Sequence, residues 1–129
     1  NFHISPMLYD MVYKLKGDKL IFITDSIRPA GMPDGEYIQG GLHVTKKGHE
    51  CRLDDGGVAG SMLDLNKGIK NVKENSHIPL YDIINAVSLN PAKMLGVDDK
   101  IGSLKKGKIA DIVIADEDFN IIKVFKDGK

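Results

Sequence analysis

The sequence predicts an α/β fold, in which one strand–helix–strand unit and a helical stretch precede a pair of β-strands. Three observations carry this. Leu20-Ile21-Phe22-Ile23 is a continuous apolar run, as expected of a parallel strand covered on both faces. Apolar residues recur at helical spacing on both sides of it. Two β-rich runs, Ile109 to Ala115 and Ile121 to Phe125, lie near the end.

In order along the chain, Phe2-His3-Ile4 reads as the tail of a strand, so the chain is expected to begin within a domain. Ser5-Pro6 reads as a helix start, with serine as cap and proline in the first turn. Met7, Leu8, Met11, Val12 and Leu15 would form that helix's apolar face, and Gly17 would end it. After the apolar run, Thr24-Asp25-Ser26 falls at the strand's C-terminal end. From Pro29 to Gly57, glycines and turn residues separate short stretches, which read as antiparallel hairpins over about residues 36–53. Gly60-Ser61 is expected to open a second helix, because Ser61 and Asp64 have capping-box spacing ahead of Leu65, Ile69 and Val72. A third helix follows Pro79, with Leu80, Ile83, Ile84 and Val87 on one face, until Asn90-Pro91 breaks it ahead of a turn carrying Met94, Leu95 and Gly96.

Composition narrows the function classes. Of 129 residues, 42% are apolar and 28% charged, which places the chain among globular proteins rather than disordered ones. The 18 basic and 18 acidic residues cancel without forming blocks, so nothing favours nucleic acid or an anionic membrane as partner, and a small molecule is the default. The single cysteine, Cys51, excludes an internal disulfide and suits a reducing cytoplasm; it reads as a small buried hydrophobe.

Asp25 is the sharpest candidate for chemistry, since α/β barrels carry their catalytic groups at the C-terminal ends of strands. An aspartate there is also an ordinary turn residue. His3 likewise stands between an apolar start and a helix and could project from a strand end toward a shared pocket, but a lone histidine there is more often a surface or packed one. His43 and His49 fall in the hairpins and His77 just before the third helix, and none has a metal-ligand partner at suitable spacing. The Gly-rich turn Asp54 to Ser61 would present backbone N–H groups at a helix N-terminus, able to meet an anion or a polar substrate, or would be an ordinary capped loop.

Taken in order, these pieces resemble the end of the N-acetylglucosamine-6-phosphate deacetylases of the amidohydrolase superfamily. Asn1-Phe2-His3 is similar to that family's sugar-binding histidine segment, with Asn1 where glycine is usual. Thr24-Asp25, Pro29-Ala30-Gly31 and Val58-Ala59-Gly60-Ser61 follow at matching separations, and it is this middle series that points to the deacetylases. Asn90-Pro91-Ala92, Leu95-Gly96, Gly102-Ser103-Leu104, Gly107-Lys108 and Ala110-Asp111 are shared more widely and point only to an amidohydrolase.

The resemblance implies that residues 1–101 are the C-terminal part of a metal-dependent-hydrolase (β/α) TIM-like barrel, and that residues 102–129 supply strands of a small β-sandwich domain built from both chain ends. It implies a hydrolase that converts N-acetylglucosamine 6-phosphate to glucosamine 6-phosphate and acetate, with a divalent metal, zinc or iron, that activates water in the complete enzyme. Asp25 would be the proton shuttle and the one residue here that could also ligate the metal, whose glutamate and two histidine ligands would lie upstream. Asn1, Phe2, His3, Val58, Ala59 and Gly60 would contact the sugar. A dimer or tetramer of the complete enzyme is implied, and this chain alone would be inactive. The rival readings are another metal-dependent amidohydrolase, acting on a cyclic amide or a related sugar, and a non-catalytic binding or structural module. Because a metal site needs three or more convergent ligands, the isolated chain is expected to hold no stoichiometric catalytic metal after dialysis. One equivalent of tightly held zinc or iron, released by substituting His3 or Asp25, would refute that.

Overall fold

The computed structural model describes residues 4–129. Helix α1 (Met7–Lys16) runs into a 3-10 turn, Gly17–Lys19, and an extended segment. Strands β1 (Gly35–Gln39), β2 (Leu42–Lys47) and β3 (Glu50–Leu53) follow. Helices α2 (Leu65–Glu74), α3 (Leu80–Val87) and α4 (Leu89–Met94) come next, before strands β4 (Ile112–Ala115) and β5 (Ile121–Phe125). The class is mixed α/β, as expected. Two compact units result: one holds the chain up to Phe22 together with Asn66–Lys129, the other Ile23–Leu65.

In the first unit, Leu20, Val72, Ile78, Ile83 and Ala86 form the buried core, with Tyr9, Val12, Tyr13, Phe22 and Ile69 packed around it. The face of α1 that meets this core differs from the expected stripe. Met7, Leu8, Met11 and Leu15 are exposed, and Val12 alone of the five packs inward. Polar anchors explain the rotation. The Tyr13 hydroxyl donates to Asp82 at the start of α3, at 2.6 Å, and this bond is the main cause that pushes the Tyr13 pKa up to about 12. Asp10 accepts from the His77 backbone N–H at 2.8 Å and lies 2.7 Å from its ring Nδ1, contacts that hold the Asp10 carboxyl below its usual range. The helix begins where Ser5-Pro6 predicts, but Pro6 occupies the cap position and no side-chain cap bond forms.

Leu20 to Ile23 is extended without being part of a strand. A parallel strand needs a neighbouring backbone, and here helices satisfy these polar groups instead. Phe22 donates to the Ala86 carbonyl at 3.0 Å, and the Asn90 side-chain amide donates to the Leu20 carbonyl at 2.8 Å. The helix boundaries shift accordingly. The break expected at Asn90-Pro91 falls at Ser88, whose φ of −133° and ψ of −73° are not helical. Leu89 to Met94 then forms a helix of its own, with Pro91 in its first turn, where its missing N–H costs nothing.

Strands β4 and β5 pair antiparallel, from Ile112 opposite Phe125 to Ala115 opposite Ile121, with an irregularity between Ile114 and Ala115. Helix α2 clasps their connecting turn. Lys70 pairs with Asp118 at 2.9 Å, Asn66 donates to the Phe119 carbonyl at 3.0 Å, and the Lys73 ammonium lies 5.1 Å from the Phe119 ring centre.

In the second unit, β1, β2 and β3 form an antiparallel meander with Tyr37 opposite Val44 and Val44 opposite Leu53. Its interior is Val44, Cys51 and Pro29, all fully buried. Lys46, only 8% exposed, shares this interior and is satisfied by the Met32 carbonyl at 2.6 Å and Asp34 Oδ1 at 3.3 Å. On the outside, the His43 ring sits 2.6 Å from Asp54 and 3.6 Å from Glu36.

Two outcomes are expected. Asn90→Ala would leave the buried Leu20 carbonyl without its partner and lower stability by about 1–3 kcal/mol, read as a shifted urea midpoint. The hydrogen bond to Asp54, with the charges of Asp54 and Glu36, raises the His43 pKa above the ordinary value of 6.5. The stabilisation from this pairing is therefore complete below the unfolded value and lost as pH rises through the folded one. Denaturation midpoints should fall in the wild type, relative to His43→Gln, as pH rises from below 6.5 through the raised folded value, and parallel profiles would exclude the coupling.

Candidate functional site

Asp25, the residue most strongly marked by the sequence, is exposed and adopts a left-handed backbone conformation with φ of 49°. Few non-glycine residues do so. Aspartate tolerates it better than most, and strain of this kind concentrates where a side chain must be presented in one direction. The residues on either side hold the turn. The Ser26 backbone N–H donates to Thr24 Oγ1 at 3.3 Å, spanning Asp25, and the Ser26 hydroxyl donates to the Leu63 carbonyl at 2.5 Å.

A second chain segment lies beside this turn. Ser26 forms an isolated parallel bridge with Ser61, and Ile27 donates to the Ser61 carbonyl at 3.0 Å. This brings Val58, Ala59 and Gly60 next to the Asp25 turn within one unit. The approach is close. A Cβ added at Gly60 would lie 2.4 Å from Cγ2 of Ile27, so any other residue there would have to displace the Ile27 side chain. The loop is fixed from its other side by β3, where Leu53 donates to the Gly57 carbonyl and Ala59 to the Cys51 carbonyl, both at 2.8 Å.

One expectation about this loop is corrected. Ser61 does not open a helix, because α2 begins at Leu65. The Ser61 hydroxyl instead accepts from the Leu63 N–H at 3.2 Å, and its carbonyl is taken by Ile27. The backbone of residues 58–60 is thus set by sheet-like pairing and not by a helix N-terminus, and the Ala59 N–H is already used. Asn1, Phe2 and His3 lie outside the described residues.

The remaining candidates have partners of their own. His43 is bound up with Asp54 and Glu36, and His77 with Asp10. Cys51 is buried, as expected. Among the described residues no three histidine, cysteine, aspartate or glutamate side chains converge as metal ligands, and no helix is long and apolar enough to cross a membrane. The widely shared motifs serve the fold. Asn90 bonds Leu20, and a Cβ at Gly102 would meet that of Ala92 at 2.7 Å. The Lys108 ammonium joins the Asp98 carbonyl, the Ile101 carbonyl and the Ser103 hydroxyl, while Asp111 takes Lys126 and the Asp127 N–H. Sequence reasoning assigns no role to Ser26 or Ile27. The available signal was a hydroxyl residue on each side of Asp25, a pattern too common in turns to stand out.

Residues 10–129 match the Amidohydrolase family. The N-acetylglucosamine-6-phosphate deacetylase of Bacillus subtilis (strain 168) is 42% identical over 121 residues, which are 93% of this chain and 31% of that protein. The putative N-acetylgalactosamine-6-phosphate deacetylase of Escherichia coli (strain K12) is 35% identical over 98% of this chain and 76% of its own length. The crystal structure of N-acetylglucosamine-6-phosphate deacetylase from Pasteurella multocida superposes with a TM-score of 0.90 at 30% identity, covering 98% of this chain and 33% of that one. The chain therefore spans about a third of the length of the Bacillus relative and of the Pasteurella structure. A family match that runs unbroken from α1 to the last residue, joined to likenesses of this extent, leaves one conclusion: the chain belongs to the amidohydrolase family.

Proposed function

We propose that this chain is the C-terminal part of a cytoplasmic deacetylase that hydrolyses N-acetylglucosamine 6-phosphate to glucosamine 6-phosphate and acetate. In this reading residues 1–101 complete a (β/α) barrel, residues 102–129 belong to a small β domain, and the complete enzyme works as a dimer or tetramer. The observation that carries it is the pairing of Ser26 with Ser61, which puts the Asp25 turn beside the Val58–Gly60 loop. These are the two described segments to which the resemblance assigns proton transfer and sugar contact.

Amide hydrolysis needs a group that takes a proton from the attacking water and returns one to the nitrogen as the C–N bond breaks. Asp25 would do both. Its exposure and the fixed turn suit a carboxylate that must meet substrate. Asn1, Phe2, His3 and the backbone of Val58, Ala59 and Gly60 would hold the sugar phosphate. Family membership implies a divalent metal in the complete enzyme, and the described residues do not fit such a site, since no ligand cluster is present among them. Asp25 is at most one ligand.

The E. coli relative, named for the galactosamine epimer, favours a second reading in which N-acetylgalactosamine 6-phosphate is the substrate. The two sugars differ only in the orientation of one hydroxyl, so comparing kcat/KM for both with the complete enzyme separates the readings. Absence of turnover on either would refute the proposal. With the preferred substrate, Asp25→Asn should cut kcat by about a hundredfold to ten-thousandfold with little change in KM, provided metal content is unchanged. His3→Ala should chiefly raise KM. An Asp25→Asn enzyme with full metal and near-normal turnover would remove Asp25 from the chemistry.

A further inference from the structure

We propose that Ser26 is a positioning residue of this site, whose hydroxyl fixes the spacing between the Asp25 carboxylate and the Val58–Gly60 backbone. The inference rests on the deacetylase reading above and deepens it. It starts from a mechanical difficulty. Asp25 holds a left-handed backbone conformation, which costs free energy and persists only where neighbouring contacts enforce it. It is also exposed, so packing does not enforce it. Hydrogen bonds must.

Ser26 makes these bonds in two directions. Toward the chain start, its N–H reaches back over Asp25 to Thr24 Oγ1 at 3.3 Å, closing the turn. Toward the loop, its hydroxyl donates to the Leu63 carbonyl at 2.5 Å, a contact between residues 37 apart in sequence. Ile27 donates to the Ser61 carbonyl just beside it, and the Ser61 hydroxyl accepts from the Leu63 N–H, so residues 61–63 are held as a unit. The Ser26 side chain thus links the Asp25 turn to the segment that follows Val58–Gly60.

The backbone pairing of Ser26 and Ile27 with Ser61 fixes where the two segments run alongside one another, and the Ser26 hydroxyl, bonded two residues further on at Leu63, adds a side-chain attachment beyond it. Misplacing a catalytic group by about an ångström can cost a hundredfold in rate, so a contact that holds a proton-transfer group against the substrate's backbone contacts bears on turnover as well as on binding.

The test uses the complete enzyme with its preferred amino-sugar phosphate, in Ser26→Ala and Ser26→Thr forms. Ser26→Ala removes the hydroxyl alone. It should lower kcat by roughly tenfold and raise KM by several-fold, because both sides of the coupled geometry loosen, while Ser26→Thr, which keeps the hydroxyl, should recover most of both. Circular dichroism and the urea midpoint of Ser26→Ala should stay close to wild type. Ser26→Ala kinetics equal to wild type, alongside an Asp25→Asn variant that is inactive, would overturn the positioning role and leave the deacetylase reading standing. A fall in activity that Ser26→Thr does not reverse, or that tracks lost stability, would overturn it as well. A wild-type enzyme with no turnover on either sugar would end both proposals together.

Discussion

A buried backbone carbonyl must find a donor, and the bond from the Asn90 side chain to Leu20 is how this chain meets that requirement. Leu20 to Phe22 carries the sequence pattern of a central strand but lacks a strand's ladder. Its polar groups are served by one amide side chain of α4 and one carbonyl of α3. Because the same residues pack Leu20 against Ile83 and Ala86, the hydrogen bond and the core form together. The location of α4, and with it the break at Ser88, follows from the need to bring Asn90 to that carbonyl.

The second unit solves a similar problem by pairing. The loop before α2 runs back along β3 on one side and meets the Asp25 turn on the other, so a segment rich in glycine is fixed along both edges without a helix or regular strand of its own. Gly60 makes the second contact sterically feasible. A loop set this way is held in one conformation without a large apolar core beneath it.

Much of this was legible in the sequence because it depends on local chemistry. The three hairpin strands, the end of α1 at Gly17 and the β4–β5 pair all follow from turn residues and alternation. The errors arose where distant partners decide. Periodicity alone puts Met7, Met11 and Leu15 on the inner face of α1, but Tyr13 and Asp10 are tethered to Asp82 and His77, more than sixty residues away, and they choose the face. Ser61 has the spacing of a capping box, yet a parallel bridge to Ser26 claims it first. Of the site, Asp25 and the Val58–Gly60 loop could be marked by position and resemblance. Their attachment to each other could not, since no local pattern encodes a hydroxyl that reaches a carbonyl 37 residues on.

The clasp of α2 on the β4–β5 turn carries a consequence for how the first unit comes apart. Two strands alone are marginal in water, and these expose Val113, Ile114, Ile122 and Val124, so the hairpin has little burial to hold it. Beyond its own ladder and the Asp111–Lys126 pair, its turn is held by an ion pair, an amide hydrogen bond and a cation–ring contact from a single helix. The ion pairs and the cation–ring contact weaken as salt rises. The hairpin amides should therefore form the least protected exchange group of the unit, opening at lower free energy than the Ile83 core and more readily at high ionic strength.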